Sequence, residues 1–236
     1  LLSQILPIQI ISPDRGFVVG GTPKLKRSYL DWGVYHGNDK TLKTYASYKK
    51  TLKNINIILS SGEKTHLDEW LTQLASLSVD ITQDRITYIE KLSSIFNENK
   101  SKSFVNLFDS SSSFIFELQN GWSKETDPLN KQNITSFLLN NKRTLERNKY
   151  LNYGPHRASV DFSLNGQSEN YLSRGEQKKM PSLRTTEQRR SCQCPYIYLH
   201  AHSSSIQLSF WLRGGGCRRA SVRTSWLSTE NIIYSM

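Results

Sequence analysis

Cysteine is scarce in this chain: three residues in 236, which is too few for a disulfide-stapled scaffold and fits a reducing, cytoplasmic setting. Proline (7) and glycine (13) are also sparse, so neither a low-complexity linker nor a collagen-like repeat is present. No apolar run approaches the ~20 residues that a membrane span needs. Acidic residues are outnumbered 20 to 31 by lysine and arginine, giving a formal charge of +11 and an expectation of an anionic partner. Also missing are a G-x-x-x-x-G-K-[ST] phosphate loop, an apolar strand ending in paired carboxylates for Mg²⁺, and a supported Ser-His-Asp arrangement.

The charge is unevenly placed. Residues 1–177 hold 22 basic and 18 acidic side chains, a net of +4, with 15 Lys to 7 Arg, 15 Asn and no Cys. Residues 178–236 hold 9 basic and 2 acidic, a net of +7, with 2 Lys to 7 Arg, 1 Asn and all three Cys. Two origins fit this break: a second domain of different ancestry, or a tail translated from sequence never selected as protein. At the other end, Leu1–Ile11 reads as the interior of a domain, with a strand at Ile8, Ile10 and Ile11 closed by Ser12-Pro13-Asp14. A preceding piece is therefore expected upstream, and no partner for this strand is evident within the chain.

Gly20-Gly21-Thr22-Pro23 opens a helix, with Thr22 as N-cap and Pro23 at the first helical position. Lys24, Lys26 and Arg27 then lie against the helix macrodipole, which fits either a nearby anion or a solvated basic face. Leu30, Trp32, Val34 and Tyr35 are expected in the core. The 40–58 segment is helical, and its Lys43, Lys49, Lys50 and Lys53, interleaved with Tyr45 and Tyr48, suit a nucleic-acid backbone or an ordinary amphipathic helix. Between His66 and Phe96, steps of four and three give Leu67, Leu71, Leu74, Ser78, Ile81, Arg85, Tyr88, Leu92 and Ile95. Seven of these nine are apolar, which predicts a coiled-coil-like packing stripe in a helical arm or hairpin. His66 falls on its exposed side and receives no role. Phe114, Phe116 and Leu118 alternate as a strand, the 134–151 segment reads as one helix, and Val160, Phe162 and Leu164 alternate into an Asn165-Gly166 hairpin turn.

Tyr171-Leu172-Ser173-Arg174-Gly175-Glu176-Gln177 offers a hydroxyl and free backbone N–H groups ahead of a helix, a phosphate site in miniature. Five blocks occur in order: Pro7-Ile8-Gln9-Ile10-Ile11-Ser12-Pro13; Gly20-Gly21-Thr22-Pro23-Lys24 with Arg27 and Leu30-Asp31-Trp32-Gly33; Gly121-Trp122-Ser123-Lys124-Glu125; Gly154-Pro155-His156-Arg157-Ala158; and Leu172-Ser173-Arg174-Gly175. Over about residues 1–179 these blocks resemble the RecF family, bacterial recombinational-repair ATPases related to ABC and SMC proteins.

The resemblance implies an α/β fold, α+β within this chain: the remnant of an ABC/SMC-type ATPase lobe with a predominantly helical second lobe. It implies a division into the end of the first ATPase lobe and the lobe junction (1–35), a helical lobe with its arm (36–152), a return strand and signature (153–179) and an atypical tail, out of frame or disordered (180–236). The family's function is ATP-dependent dimerisation and clamping on single-stranded and gapped double-stranded DNA, with RecO and RecR as partners, supporting RecA loading and the SOS response. ATP with Mg²⁺ is the implied cofactor and a weak DNA-dependent ATPase the implied activity. Leu172, Ser173, Arg174, Gly175, Glu176 and Gln177 look like the ABC signature that meets ATP held by a partner subunit, with Arg174 replacing the first glycine of the usual ABC pattern. Gln9 is the candidate linking the lobes near Mg²⁺. The candidate DNA contacts are Lys24, Lys26, Arg27, Lys49, Lys50, Lys53 and Arg157.

Two departures accompany the resemblance. The phosphate loop is expected upstream of Leu1, and no catalytic residue is expected in this chain. After Lys179 the family's apolar helix is replaced by Met180-Pro181-Ser182-Leu183-Arg184, and the next apolar run, Tyr196-Ile197-Tyr198-Leu199, leads into His200-Ala201-His202 with no acid before Glu230. A frameshift or fused sequence is the expectation for the tail. Its Cys192, Cys194, His200, His202 and Cys217 are zinc-type ligands at spacings unlike a zinc finger's. The rival functional reading is a non-enzymatic DNA-binding or scaffold module; in either case this chain alone is expected neither to bind ATP tightly nor to hydrolyse it.

Overall fold

In the computed structural model, residues 8–11, 18–37, 40–62, 66–99, 113–173, 196–202, 205–212 and 216–222 are described; for 8–11, 37, 95–99, 114 and 196–222 the backbone path alone is described. The chain divides into two compact units, Val18–Glu187 and a second formed by Leu1–Phe17 with Gln188–Met236.

The larger unit begins with helix α1 (Pro23–Gly37). Its N-terminus forms as the sequence predicts: the Leu25 N–H donates to Thr22 Oγ1 at 3.4 Å and the Lys26 N–H to the Thr22 carbonyl at 3.1 Å. Helix α2 (Thr41–Ser61) follows and stops at Gly62, whose φ of 77° lets its N–H reach back to the Ile58 carbonyl at 3.1 Å. Helix α3 (Leu67–Asn99) is 33 residues long, about 50 Å at 1.5 Å per residue, and is the spine of the unit. Every stripe position from Leu67 to Leu92 is buried, the polar Ser78 and Arg85 included; Ile95 lies outside the described side chains.

This spine serves two apolar clusters in turn. Its first half, Leu67, Leu71, Leu74 and Ile81, packs with Ile55 and Leu59 of α2 and with Ile134, Leu138 and Leu145. Its second half, Tyr88, Ile89 and Leu92, packs with Leu30 and Val34 of α1 and with Val160, Phe162 and Leu164. The stripe is thus buried along both stretches by its own unit. Strand β2 (Phe114–Gln119) pairs antiparallel with β3 (Ser159–Leu164), and β3 turns into the short β4 (Gln167–Ser168). Both turn residues have positive φ, Asn165 at 52° and Gly166 at 77°, as a type I′ hairpin requires.

One expectation is corrected. The single helix read over residues 134–151 is two: α4 (Lys131–Asn140) and α5 (Lys142–Asn148), parted at Asn141. The Asn141 side chain donates to the Phe137 carbonyl at 2.8 Å, competing with the helical ladder, and α5 ends where Lys149 turns left-handed at φ 62°.

The second unit is a four-stranded sheet ordered β1-β5-β6-β7, formed by Ile8–Ile11, Tyr196–His202, Ser205–Leu212 and Gly216–Val222. β1 lies parallel to β5, with Ile8 opposite Ile197 and Ile11 opposite His200, so the chain itself supplies the partner its first strand needs. β5, β6 and β7 form an antiparallel meander.

Candidate functional site

Between the two apolar clusters, α3 presents Arg85, and a polar junction is built around it. The guanidinium is 4% exposed at its side chain and grips Asp31 of α1 with two nitrogens: Nε donates to Oδ1 at 2.9 Å and Nη2 to Oδ2 at 3.1 Å. Nη1 donates to the Pro155 carbonyl at 2.8 Å, and the Tyr45 hydroxyl of α2 donates to Asp31 Oδ1 at 2.8 Å. Burial disfavours the guanidinium's charge, but the Asp31 carboxylate more than offsets it and holds the pKa above its ordinary value. One side chain therefore ties α1 and α3 to the loop after α5, and Tyr45 adds α2.

That loop collects further contacts. Arg27 Nη1 donates to the Ala158 carbonyl at 2.7 Å. The Gly154 N–H donates to the Gly121 carbonyl at 2.9 Å. The His156 ring lies between Tyr48 Oη, 2.8 Å from Nδ1, and the Leu151 carbonyl, 3.1 Å from Nε2. A carbonyl only accepts, so Nε2 carries the proton and Nδ1 accepts from the tyrosine. The Gly20, Leu30–Gly33, Gly121 and Gly154 blocks, far apart in sequence, thus meet around residues 154–158.

Burial, seconded by the cations of Arg157, Arg27 and Arg85, pushes His156 down to about 4 from its ordinary 6.5; only the Leu151 bond raises it. The unfolded chain takes up a proton near pH 6.5 that the folded ring refuses until about pH 4. The stabilisation is intact above pH 6.5 and drains as the pH falls, at about 1.4 kcal/mol per unit and roughly 3 kcal/mol in all. In urea unfolding at pH 7 and pH 4.5, His156→Gln is expected to lose less stability on acidification than the wild type. Equal losses would place the acid sensitivity elsewhere.

At the second end of this unit, Glu169 is buried at 7% exposure. Its Oε2 accepts the Gly20 N–H at 3.0 Å and its Oε1 accepts the Lys26 ammonium, which also lies 3.7 Å from Asp161 and 5.6 Å from the centre of the Phe162 ring. A single 3₁₀ turn (Glu169–Tyr171) leads to Leu172, buried with Val19, Leu30 and Phe162, and to the exposed Ser173.

The candidate DNA contacts separate accordingly. Lys24 is exposed, as are Lys49, Lys50 and Lys53 along the outer face of α2. Arg157 is exposed with its guanidinium 5.9 Å from the Tyr150 ring centre, and Arg27 is half-buried. Lys26 is 4% exposed and held by Glu169, so its charge is turned inward rather than toward a phosphate. Arg174, Gly175, Glu176 and Gln177 lie outside the described residues, as do Cys192 and Cys194; of Gln9, His200 and His202 the strand positions alone are described, opposite Tyr198, Gln207 and Ser205. Among the described residues no group of three or more His, Cys, Asp or Glu could hold a metal ion, and no helix is long and apolar enough to cross a membrane. His66 is exposed beside Glu69.

Residues of α1–α3 and the 154–158 loop carry most of the polar junction; sequence reasoning gives Asp31, His156 and Glu169 no individual role, and takes Arg85 as a position on the packing stripe and Tyr48 as an aromatic among the α2 lysines. A signal for Arg85 was present: a cation on an apolar stripe must be paired once the stripe is buried.

No protein-family model matches the chain. Curated relatives do. The DNA replication and repair protein RecF of Cronobacter sakazakii is 31% identical over 182 residues, 75% of this chain and 47% of that protein. The RecF of Pseudomonas aeruginosa is 32% identical over 180 residues, and that of Pseudomonas syringae pv. syringae 30% identical over 205, covering 83% of this chain and 53% of the relative. The chain spans about half the length of the curated relatives it matches. A solved structure of the recombination mediator protein RecF with ATP, from the RecFOR pathway, shares the fold with a TM-score of 0.65 at 22% identity, covering 78% of this chain and 50% of that one.

Proposed function

This chain is RecF-like, and we propose that it supplies the helical lobe and the nucleotide-facing signature of a DNA replication and repair protein, a cytoplasmic ATP-dependent clamp on single-stranded and gapped DNA that dimerises, works with RecO and RecR, and supports RecA loading. The domain division at residues 35, 152 and 179 belongs to this reading. The observation that carries it is the convergence of three of the five ordered blocks on residues 154–158, with the Leu172–Ser173 segment anchored to the same unit through Glu169. The backbone and buried side chains of those blocks hold the helices and the return strand in one arrangement.

Toward ATP the described residues offer Ser173, exposed at the end of its short turn, as a hydroxyl for a nucleotide bound elsewhere. The sequence contains no phosphate loop, so these residues fit only the signature side of such a site, and no hydrolytic step is assigned to them. When bound, ATP with Mg²⁺ would supply the charge that draws two subunits together. Ser173 would orient a phosphate oxygen, and Leu172 would keep the serine in place.

A second reading, a DNA-binding or scaffold module independent of nucleotide, is favoured by the basic outer face of α2, where Lys49, Lys50 and Lys53 are all exposed. Retention of a gapped DNA duplex, followed by fluorescence anisotropy across a salt series with and without ATP–Mg²⁺, separates the two. Each phosphate neutralised steepens the log–log salt slope by about 0.9. ATP-dependent retention in a mixture with full-length RecF supports the first reading, and nucleotide-independent retention the second. The chain alone is expected to release no phosphate from ATP; turnover above blank would overturn the assignment.

A further inference from the structure

We infer that Lys26 and Glu169 form a latch that positions Ser173, so that they are positioning residues for the nucleotide-facing segment; the inference rests on the reading just given. Two side chains from positions 143 residues apart meet out of solvent at 4% and 7% exposure, and the carboxylate divides its oxygens between two tasks. Oε2 takes the Gly20 N–H, at the left-handed turn (φ 73°) that starts α1, while Oε1 takes the Lys26 ammonium one helical turn further on. The turn that follows is pinned again at Leu172, whose N–H donates to the Glu169 carbonyl at 3.3 Å and whose side chain is buried beside Val19. Ser173 follows directly on Leu172, so its backbone starts from a residue held at both its N–H and its side chain.

Stability alone is a poor reason for such a pair. Desolvating two charges offsets most of their attraction, and apolar residues of the same volume commonly hold a fold as well or better. What an ion pair adds is direction: the carboxylate fits one registration of the 169–173 turn against the start of α1. Asp161, half-exposed and 3.7 Å from the same ammonium, lies on β3 and joins the return strand to the latch.

Amide hydrogen exchange on the whole chain tests this. In Glu169→Gln and in Lys26→Met, peptides covering residues 18–22 and 169–173 are expected to exchange at least about tenfold faster, with α2 and α3 unchanged and Lys26→Arg close to wild type. Unchanged exchange at 169–173, or a uniform acceleration throughout the unit in both variants, overturns the latch. ATP-dependent capture by full-length Pseudomonas aeruginosa RecF is measured in parallel. If Ser173→Ala captures as well as wild type, the nucleotide reading fails whatever the latch does. If Ser173→Ala weakens capture and Glu169→Gln does not, the latch fails and the reading stands.

Discussion

Asp31→Ala is expected to destabilise the Val18–Glu187 unit by about 3–5 kcal/mol, because it leaves the Arg85 guanidinium buried with its carboxylate removed. The cost is that of an uncompensated charge rather than of a lost contact. Arg85 cannot move to water, since its side chain sits between two apolar clusters and its Nη1 is bound to the Pro155 carbonyl. Nor does losing its proton provide an escape, given how far above neutrality a guanidinium titrates. Two comparisons sharpen the expectation. Arg85→Lys keeps the charge but loses the two-pronged geometry, so it should remain clearly destabilising. The double variant Asp31→Leu/Arg85→Met removes both charges and should recover much of what Asp31→Ala loses. Urea midpoints for the four proteins decide it: a double variant no better than Asp31→Ala would show that the junction matters for something other than charge balance.

Gly121→Ala is the second large effect, at roughly 2–5 kcal/mol, and its cause is steric. Gly121 has φ 82°, and a Cβ there would sit 2.3 Å from the Gly154 carbonyl oxygen and 2.8 Å from the Ala158 nitrogen. Both are backbone atoms of the loop that Arg27, Arg85 and the Gly154–Gly121 hydrogen bond hold, so neither can yield cheaply. Left-handed backbone and overpacking therefore add. Gly166→Ala isolates the first contribution: its φ is 77°, but nothing lies within 4 Å of the new atom, so about 1–2 kcal/mol is expected. Equal denaturation midpoints for the two variants would refute the steric account. Gly33 has a related role in helical backbone, where a Cβ would meet the Tyr88 ring, so α1 approaches α3 closely only because residue 33 has no side chain.

Local patterns made much of this unit legible. Thr22-Pro23 marked the start of α1, the four-and-three stepping from Leu67 to Leu92 marked one buried face of α3, and Asn165-Gly166 marked a hairpin. Each is dictated by residues a few positions apart, through helical or strand periodicity and through turn chemistry. The break at Asn141 is not legible in the sequence because an asparagine within an apolar period can point outward or bond back to the chain, and the period alone does not choose between them. Lys26 shows the same limit. Beside Lys24 and Arg27 it reads as part of a basic face, and only the fold brings Glu169, 143 residues away, to its ammonium.

The +11 charge, the scarcity of cysteine and the ordered blocks belong to the sequence by itself, and the blocks point to a RecF-like chain. What those blocks are for was decided by tertiary structure. Arg27, Asp31, Gly121, His156 and Arg85 are separated by up to 129 positions, and no period relates them. They meet because two apolar clusters packed along α3 leave a polar seam between them, in which the Arg85 and Arg27 guanidinium groups and the His156 ring find partners within the chain. Composition and spacing could nominate such residues; their meeting in the fold made one a clamp, another a close-contact glycine and a third a neutral histidine.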